Sequence, residues 1–156
     1  MNDALALAQK KIARLIARRY YSEYELRMKL KEFSSEVQEE AVAWAKEQGF
    51  IDDLRFCRAF VHDALLLNPQ GKRLLTRNLA KKGIEGTVIE QVLQEEYPTE
   101  LEVELAQKLA EKYSRRLKAG DERKHAKLYG YLLSRGFPEN IVYLALKEVN
   151  LDTQKA

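Results

Sequence analysis

Apolar residues recur three and four positions apart along almost the whole chain, which places them on one face of an α-helix. The first such stripe contains Leu5, Ala8, Ile12 and Leu15. Similar stripes follow, separated by capping residues, glycines and prolines. The pattern of apolar and polar positions therefore predicts nine helices.

Residues that cap helices mark most of the predicted boundaries. In a capping box, a Ser or Thr and a Glu or Gln three residues later satisfy backbone N–H groups that a helix start leaves without partners. Asp52 and Asp121 mark two further starts, and glycines that tolerate a left-handed conformation end four helices. The predicted boxes are Ser22 with Glu25, Ser35 with Gln38 and Thr99 with Glu102, and the predicted helix-ending glycines are Gly49, Gly83, Gly120 and Gly136.

The pattern also repeats along the chain. Eight positions, from Leu75 to Leu93, match eight positions from Leu128 to Leu146 at a constant offset of 53 residues. The first part of the chain matches less regularly, at offsets of 49 and 51, because the turn around Phe33 is shorter and lacks a glycine. Self-similarity at such a period is the signature of a repeat architecture.

We therefore predict an all-α fold of three tandem three-helix, helix-turn-helix-like repeats. Their expected limits are 1–50, 51–97 and 98–156. A unit of this size cannot bury its apolar surface well alone, so neighbouring units should stack into an elongated, curved body.

The composition agrees with a folded helical protein. The 156 residues are 46% hydrophobic and 33% charged, with 7 Gly and 3 Pro, which excludes disordered, collagen-like and low-complexity classes. No apolar run reaches the roughly 18 residues of a membrane span, and the chain starts with an amphipathic pattern rather than a signal peptide. We expect a cytoplasmic protein that does not enter a membrane.

Three basic runs alternate with two acidic runs. Residues 10–31 contain eight basic and two acidic residues, residues 72–82 five basic and no acidic residues, and residues 108–135 nine basic and three acidic residues. Residues 32–47 carry a net charge of four negative, and residues 85–104 contain seven glutamates and no Lys or Arg. The third helices are thus expected to be acidic, and the same helices of successive units are expected to carry charge of the same sign.

A single charged run is typical of a solvated helix face, but recurrence in successive units favours a basic stripe that binds a partner. Phosphate backbones suit such a stripe, and an acidic protein groove would serve as well. The basic stripe is predicted to contain Lys10, Lys11, Arg14, Arg18, Arg19, Arg27, Lys72, Arg73, Arg77, Lys81, Lys82, Arg115, Arg116, Lys118 and Lys124.

Three tyrosines, Tyr20, Tyr21 and Tyr24, lie beside Arg18 and Arg19. Aromatic rings next to arginines can stack on the bases of a single strand. Tyrosines at helix junctions more often close a core while the hydroxyl stays in water. We favour the second interpretation and keep the first as an alternative.

No pattern in the sequence indicates catalysis, a cofactor or a metal. His62 and His125 lack a second His or a Cys at metal-ligand spacing and are expected at the surface. Cys57 follows the pattern of a small buried hydrophobic residue, and it has no second cysteine for a disulfide. Asp52 and Asp53 stand at a helix start, where carboxylates cap N–H groups. We therefore predict a binding protein rather than an enzyme.

Three segments carry further motifs, SEYELRMKL at 22–30, GFIDDLRF at 49–56, and Gly71 followed by LAKKGI at 79–84. Together they resemble the RecX family, the regulators of the RecA recombinase. The resemblance covers nearly the whole chain, and the segment 49–56 is its most specific part. One departure is the short turn after Leu30, where the family usually has a glycine, and it concerns the local helix register.

The resemblance implies a three-repeat helical protein that lies in the groove of the RecA filament on single-stranded DNA. There it would lower ATP hydrolysis, strand exchange and co-protease activity. We expect a monomer, since no long heptad array predicts a coiled coil. The alternative is a protein that binds single- or double-stranded nucleic acid directly through its basic stripe.

Overall fold

The computed structural model describes the backbone of residues 2–155 and the side chains of residues 3–147. Within those limits the chain forms nine α-helices and no β-strand, which confirms the all-α prediction. The helices are α1 (Asn2–Ile16), α2 (Glu23–Lys29), α3 (Ser35–Glu47), α4 (Asp53–Leu67), α5 (Lys72–Lys81), α6 (Gly86–Glu96), α7 (Thr99–Ser114), α8 (Lys124–Ser134) and α9 (Glu139–Lys155).

Three hydrophobic cores divide the helices into units of three. α1 to α3 build the first core, α4 to α6 the second and α7 to α9 the third. Leu75 and Leu79 are fully buried in the second core, and Leu128 and Leu132 occupy the equivalent buried places in the third. The offset of 53 residues therefore relates equivalent core positions, and the repeat fold is confirmed. The residue limits of the units stay predictions.

Several predicted helix starts form as the capping chemistry indicates. The Ser22 and Glu25 box is present in full at the start of α2, and the Asp52 carboxylate caps α4 by accepting the N–H of Arg55. The predicted box of Ser35 and Gln38 is wrong. The hydroxyl of the preceding Ser34 accepts the N–H of Val37, while the Gln38 amide donates to the carbonyl of Phe33.

The predicted capping box of Thr99 and Glu102 is also wrong. Pro98 occupies the N-cap position of α7, and this N-cap makes no side-chain hydrogen bond to the helix start in the described part of the chain. Glu102 is 2% exposed, and its carboxylate accepts the backbone N–H of Lys72 at 2.9 Å. Glu102 therefore caps α5, a helix of the preceding unit.

The predicted boundary between α7 and α8 lies elsewhere. α7 ends at Ser114 rather than at Gly120, and α8 begins at Lys124 rather than at Asp121. Gly120 has a φ of +82° within the turns that connect the two helices. The Asp121 carboxylate accepts the N–H of Arg123 at 2.8 Å, so it closes a turn before the helix.

The first and second units meet where α2 begins and α5 ends. The hydroxyl of Ser22, the N-cap of α2, donates a 2.6 Å hydrogen bond to the carbonyl of Lys82, the C-cap of α5. The Asp53 carboxylate on α4 accepts the N–H of Glu23 at 2.9 Å. Two groups of the second unit thus bind the start of α2. We call this contact the first joint.

The second and third units meet in the same way, where α5 begins and α8 ends, at the second joint. The N–H of Gly71 donates to the carbonyl of Arg135 at 2.8 Å, and Glu102 caps the N–H of Lys72. Both Asp53 and Glu102 lie 30 residues after the residue that they cap. The joint is therefore a repeated feature of the fold.

At each joint the carbonyl end of one middle helix faces the N–H end of another, which is favourable for the helix dipoles. Gly83 and Gly136 leave room for this approach. A Cβ atom on Gly83 would lie 2.3 Å from the Cβ of Tyr24, and one on Gly136 would lie 2.3 Å from the Cβ of Leu74. End-to-end contacts thus link α8, α5 and α2 across all three units.

Candidate binding surface

The fifteen residues of the basic stripe fall into two groups. Five bind a carboxylate of the protein itself within 3.7 Å, namely Lys11, Arg19, Arg27, Lys72 and Lys82. The other ten have no such partner among the side chains that the structure describes, and nearly all are exposed. These ten, which we call the open cations, are Lys10, Arg14, Arg18, Arg73, Arg77, Lys81, Arg115, Arg116, Lys118 and Lys124.

Glu25 engages two cations of the stripe at the first joint. Its carboxylate accepts hydrogen bonds from Arg19 and Lys82, each at 3.1 Å, and from the N–H of Ser22 at 3.2 Å. Burial would raise the pKa of Glu25, but these bonds outweigh it and hold the pKa below its ordinary value. The Arg19 guanidinium also lies 3.6 Å from the centre of the Tyr21 ring. Arg19 and Lys82 therefore connect parts of the fold.

Charge is sorted by helix position only in part. α5 contains four basic residues and no acidic residue, and α3 and α6 are acidic, as the sequence predicts. α2 differs from α5, because it contains two glutamates as well as two basic residues. Its glutamates serve structural ion pairs, since Glu23 binds Arg27 and Lys46 while Glu25 binds across the joint. The excess positive charge of the first unit lies on α1 and the turn after it.

The three tyrosines near Arg18 and Arg19 have different environments. Tyr21 is buried in the first core, as predicted for a tyrosine that closes a core. Tyr20 is 51% exposed and lies 4.9 Å below the guanidinium of Arg55, and Tyr24 is 47% exposed. Base stacking by Tyr20 or Tyr24 stays a prediction.

The other candidate residues have structural places. Cys57 is fully buried, and burial raises the pKa of its thiol to about 11, so it carries no thiolate near neutral pH. His62 and His125 are exposed, as predicted. Among the described residues, no group of three or more His, Cys, Asp or Glu side chains could hold a metal ion. No helix in the same part of the chain is both long and apolar enough to cross a membrane.

Two equivalent grooves accompany the joints. The first groove lies among the α1–α2 turn, α4 and the end of α5, and the second groove lies among the α4–α5 turn, α7 and α8. Five lining positions correspond at the offset of 53 residues. The pairs are Phe56 with Leu109, Ala59 with Lys112, Phe60 with Tyr113, Asp63 with Arg116, and Lys82 with Arg135.

The second groove carries more available positive charge. It has a volume of about 320 Å³, and its lining includes Lys112, Arg116 and Arg135 but no carboxylate among the described residues. The first groove, of about 210 Å³, includes Asp63, and its two cations both bind Glu25. Lys112 and Arg135 are absent from the predicted stripe. The 53-residue offset also relates residues of α4 to residues of α7. Applied to these two helices, it could have predicted the two equivalent grooves from the sequence.

The fold and this surface define a class of protein. Three-helix units stand in tandem, equivalent joints connect them, and open cations and grooves lie on the outside. Two family models match the chain within this framework, "RecX, second three-helix domain" over residues 52–93 and "RecX, third three-helix domain" over residues 100–146.

Individual relatives and one solved structure agree with the family models. The chain is 37% identical over 131 residues to the regulatory protein RecX of Caldanaerobacter subterraneus, which covers 82% of this chain and 64% of that relative. It is 33% identical over 147 residues to the regulatory protein RecX of Vibrio parahaemolyticus, with 92% and 93% covered. The crystal structure of RecX from Lactobacillus salivarius superposes with a TM-score of 0.88 at 23% identity, over 97% of this chain and 99% of that one.

The chain therefore belongs to the RecX family of regulatory proteins. This is a family of regulators and not of enzymes. The chain spans about two thirds or less of the length of some relatives, 64% of the Caldanaerobacter protein and 56% of the one from Leuconostoc mesenteroides.

Proposed function

We propose that the protein binds the filament that RecA forms on single-stranded DNA in the cytoplasm. It lies as a monomer in the filament groove and lowers ATP hydrolysis, strand exchange and co-protease activity. Membership of the RecX family supports RecA as the partner. The observation that carries the proposal is the set of open cations. They lie on all three units, and the two equivalent joints connect these units.

Repetition provides the physical reason for inhibition without catalysis. A protein of stacked units can contact several neighbouring subunits of a filament at once. Each contact after the first is intramolecular and gains from a high effective concentration. Occupation of the groove would then hold the subunits in one arrangement and hinder their turnover.

The test is RecA's DNA-dependent ATPase with wild type and the variant Arg18→Glu, Arg77→Glu, Lys81→Glu. All three are open cations, whereas Arg19 is left unchanged because it binds Glu25 and Tyr21. Wild type should inhibit at equimolar or lower amounts at low salt. The variant should need at least about ten times more protein, which corresponds to roughly 1.4 kcal/mol.

A matched control carries Lys29→Glu, Lys31→Glu and Lys147→Glu, three exposed lysines outside the basic stripe. It undergoes the same change of charge and should inhibit as wild type does. Circular dichroism should show equal helicity in all three proteins. The proposal would be overturned if wild type had no effect on the ATPase. If all three proteins inhibited equally, the basic stripe would not be the surface that contacts the filament.

The second candidate is direct binding of single- or double-stranded nucleic acid. The exposure of the open cations and of Tyr20 favours it. A titration of labelled oligonucleotides without RecA separates the candidates. Tight binding that weakens steeply with salt supports direct binding, because each neutralised phosphate releases counterions. Weak binding under conditions where RecA is inhibited supports the filament.

A further inference from the structure

We propose that the second groove is a docking site for an acidic segment of a protein partner that also carries an apolar side chain. The inference rests on the proposed function only in assuming that the partner is a protein. Its test contains no RecA, so the two proposals can fail separately.

Three cations from two helices converge on the groove. Lys112 and Arg116 are exposed at the end of α7, and Arg135 follows α8. The Nη2 of Arg135 donates to the Asn68 side chain at 2.8 Å and to the Pro69 carbonyl at 2.9 Å, which fixes the guanidinium in place. Its Nε and Nη1 make no hydrogen bond within the described residues, so these nitrogens still have N–H groups that can donate to a carboxylate.

The position of Arg135 distinguishes this groove from an ordinary helix end. Cations near a helix C-terminus are favourable in any protein because they meet the negative end of the dipole. Lys112 and Arg116 alone would therefore indicate no site. Arg135 is the C-cap of a different helix, α8, its side chain is held by the α4–α5 turn, and it lines the same groove.

Apolar surface lies beside these charges. Leu66 and Leu67 at the end of α4 are 68% and 83% exposed, and Leu67 lines the groove. The rings of Tyr113 and Tyr131 stack at 4.2 Å with an angle of 3° between their planes and form the groove wall. A partner with an apolar side chain next to a carboxylate would cover Leu67 and reach the cations together.

The same features favour a protein over a nucleic acid as occupant. Tyr113 and Tyr131 stack on each other, so one face of each ring is already covered. A base would need an open ring face on which to stack. The exposed leucines offer no hydrogen bond to a base or a phosphate. They can bury apolar side chains of a peptide.

The experiment is a fluorescence anisotropy titration of the full chain with a labelled short peptide of Glu, Ser and Gly that contains two Leu. Wild type should bind this peptide in preference to a peptide with Lys in place of Glu and to labelled oligo(dT). Lys112→Glu with Arg116→Glu should weaken binding at least about tenfold. Leu67→Ser should weaken it about threefold, and it changes an exposed residue that the fold does not need. The control pair Lys29→Glu with Lys31→Glu should bind as wild type does.

Several results would overturn the proposal. Equal losses in the groove pair and the control pair would show attraction by net charge alone. No loss in Leu67→Ser would remove the apolar contact, and tighter binding of oligo(dT) that depends on Lys112 and Arg116 would identify a nucleic-acid site instead. Amide chemical shifts on peptide addition should change most within 109–116 and 131–135, and changes confined to the first unit would contradict it.

Discussion

At the residue scale, Glu102 lies on α7 but its carboxylate caps α5, and it also faces the Lys72 ammonium at 3.7 Å. Burial raises the pKa of Glu102, although the N–H and the ammonium of Lys72 favour the charged form. A carboxyl group with a raised pKa holds its proton more tightly in the folded state. Its contribution to stability therefore decreases as pH rises from the ordinary pKa to the raised one.

Removal of the Glu102 side chain should destabilise the second joint. Glu102→Ala removes the acceptor of the part-buried N–H of Lys72, and we expect a loss of roughly 1–3 kcal/mol in the free energy of unfolding measured with urea. Glu102→Gln keeps an acceptor oxygen and should lose less.

Glu104→Ala is the control, because Glu104 is exposed and its one ion pair among the described residues is with Lys108, one turn away on the same helix. Its effect should stay within about 0.5 kcal/mol. If Glu104→Ala lowers the free energy of unfolding as much as Glu102→Ala does, the cap at the second joint does not explain the contribution of Glu102 to stability.

The sequence does not distinguish a Glu102 that caps its own helix, α7, from a Glu102 that caps α5. Thr99 followed by Glu102 satisfies the capping-box pattern, yet an acid near a helix start can serve any nearby N–H. Gly71, the N-cap of α5, has no side chain to cap with, and Pro98 takes the N-cap place of α7. By contrast, the box of Ser22 and Glu25 was predictable because each of these residues caps the backbone N–H of the other, within one turn of the same helix start.

At the element scale, α5 takes part in both joints, with its start against α8 and its end against α2. The helices themselves were predictable from apolar spacing, capping residues and glycines. The end of α7 was not, because the chain leaves the helix at Ser114 and forms turns for several residues before α8 begins. Gly120 marks a turn in that connection, and a glycine alone does not distinguish a turn from a helix end.

A side chain at Gly71 should open the second joint. The φ of Gly71 is −80°, so Ala fits the backbone, but its Cβ would lie 2.3 Å from the carbonyl oxygen of Gly136. We expect Gly71→Ala to cost roughly 1–3 kcal/mol in urea unfolding and to speed hydrogen exchange at the N–H of Arg73, which donates to Gly136 at 3.0 Å.

Gly130 provides the opposite case. It lies inside α8, and a Cβ there would meet nothing within 4 Å. Gly130→Ala should therefore stabilise the protein by about 0.5–1 kcal/mol, through helix propensity alone. A loss of stability in this variant would mean that glycine substitution itself, rather than the crowded joint, explains Gly71→Ala.

At the scale of the whole molecule, the tandem units were predictable but the open cations were not. Whether a cation is open depends on which carboxylate the fold brings within reach. Glu25 binds Lys82 across 57 positions of the chain, and no local pattern indicates this pair. The equivalence of the two grooves, in contrast, follows from the same 53-residue offset as the cores.

That equivalence predicts a gain of function. Ala59→Lys with Asp63→Arg gives the first groove the charges that Lys112 and Arg116 give the second. We expect the stoichiometry of acidic-peptide binding, measured by calorimetry, to rise from one to two, with weaker binding at the second site because Lys82, the counterpart of Arg135, already binds Glu25. Glu90→Arg with Gln94→Lys adds the same charge to exposed positions of α6 and should leave it at one. If Ala59→Lys with Asp63→Arg left the stoichiometry at one, positive charge at the first groove would not be sufficient for peptide binding.

The joints also have a consequence for how such a protein can change in length. In α2 and α5, a carboxylate from the following unit binds the first N–H of the helix. α8 begins without a side-chain cap among the described residues. A duplicated unit with an acid at the matching place of its first helix could meet α8 by the same contacts. Molecular length thus becomes a property that evolution or a designer can adjust one unit at a time, without rebuilding any core.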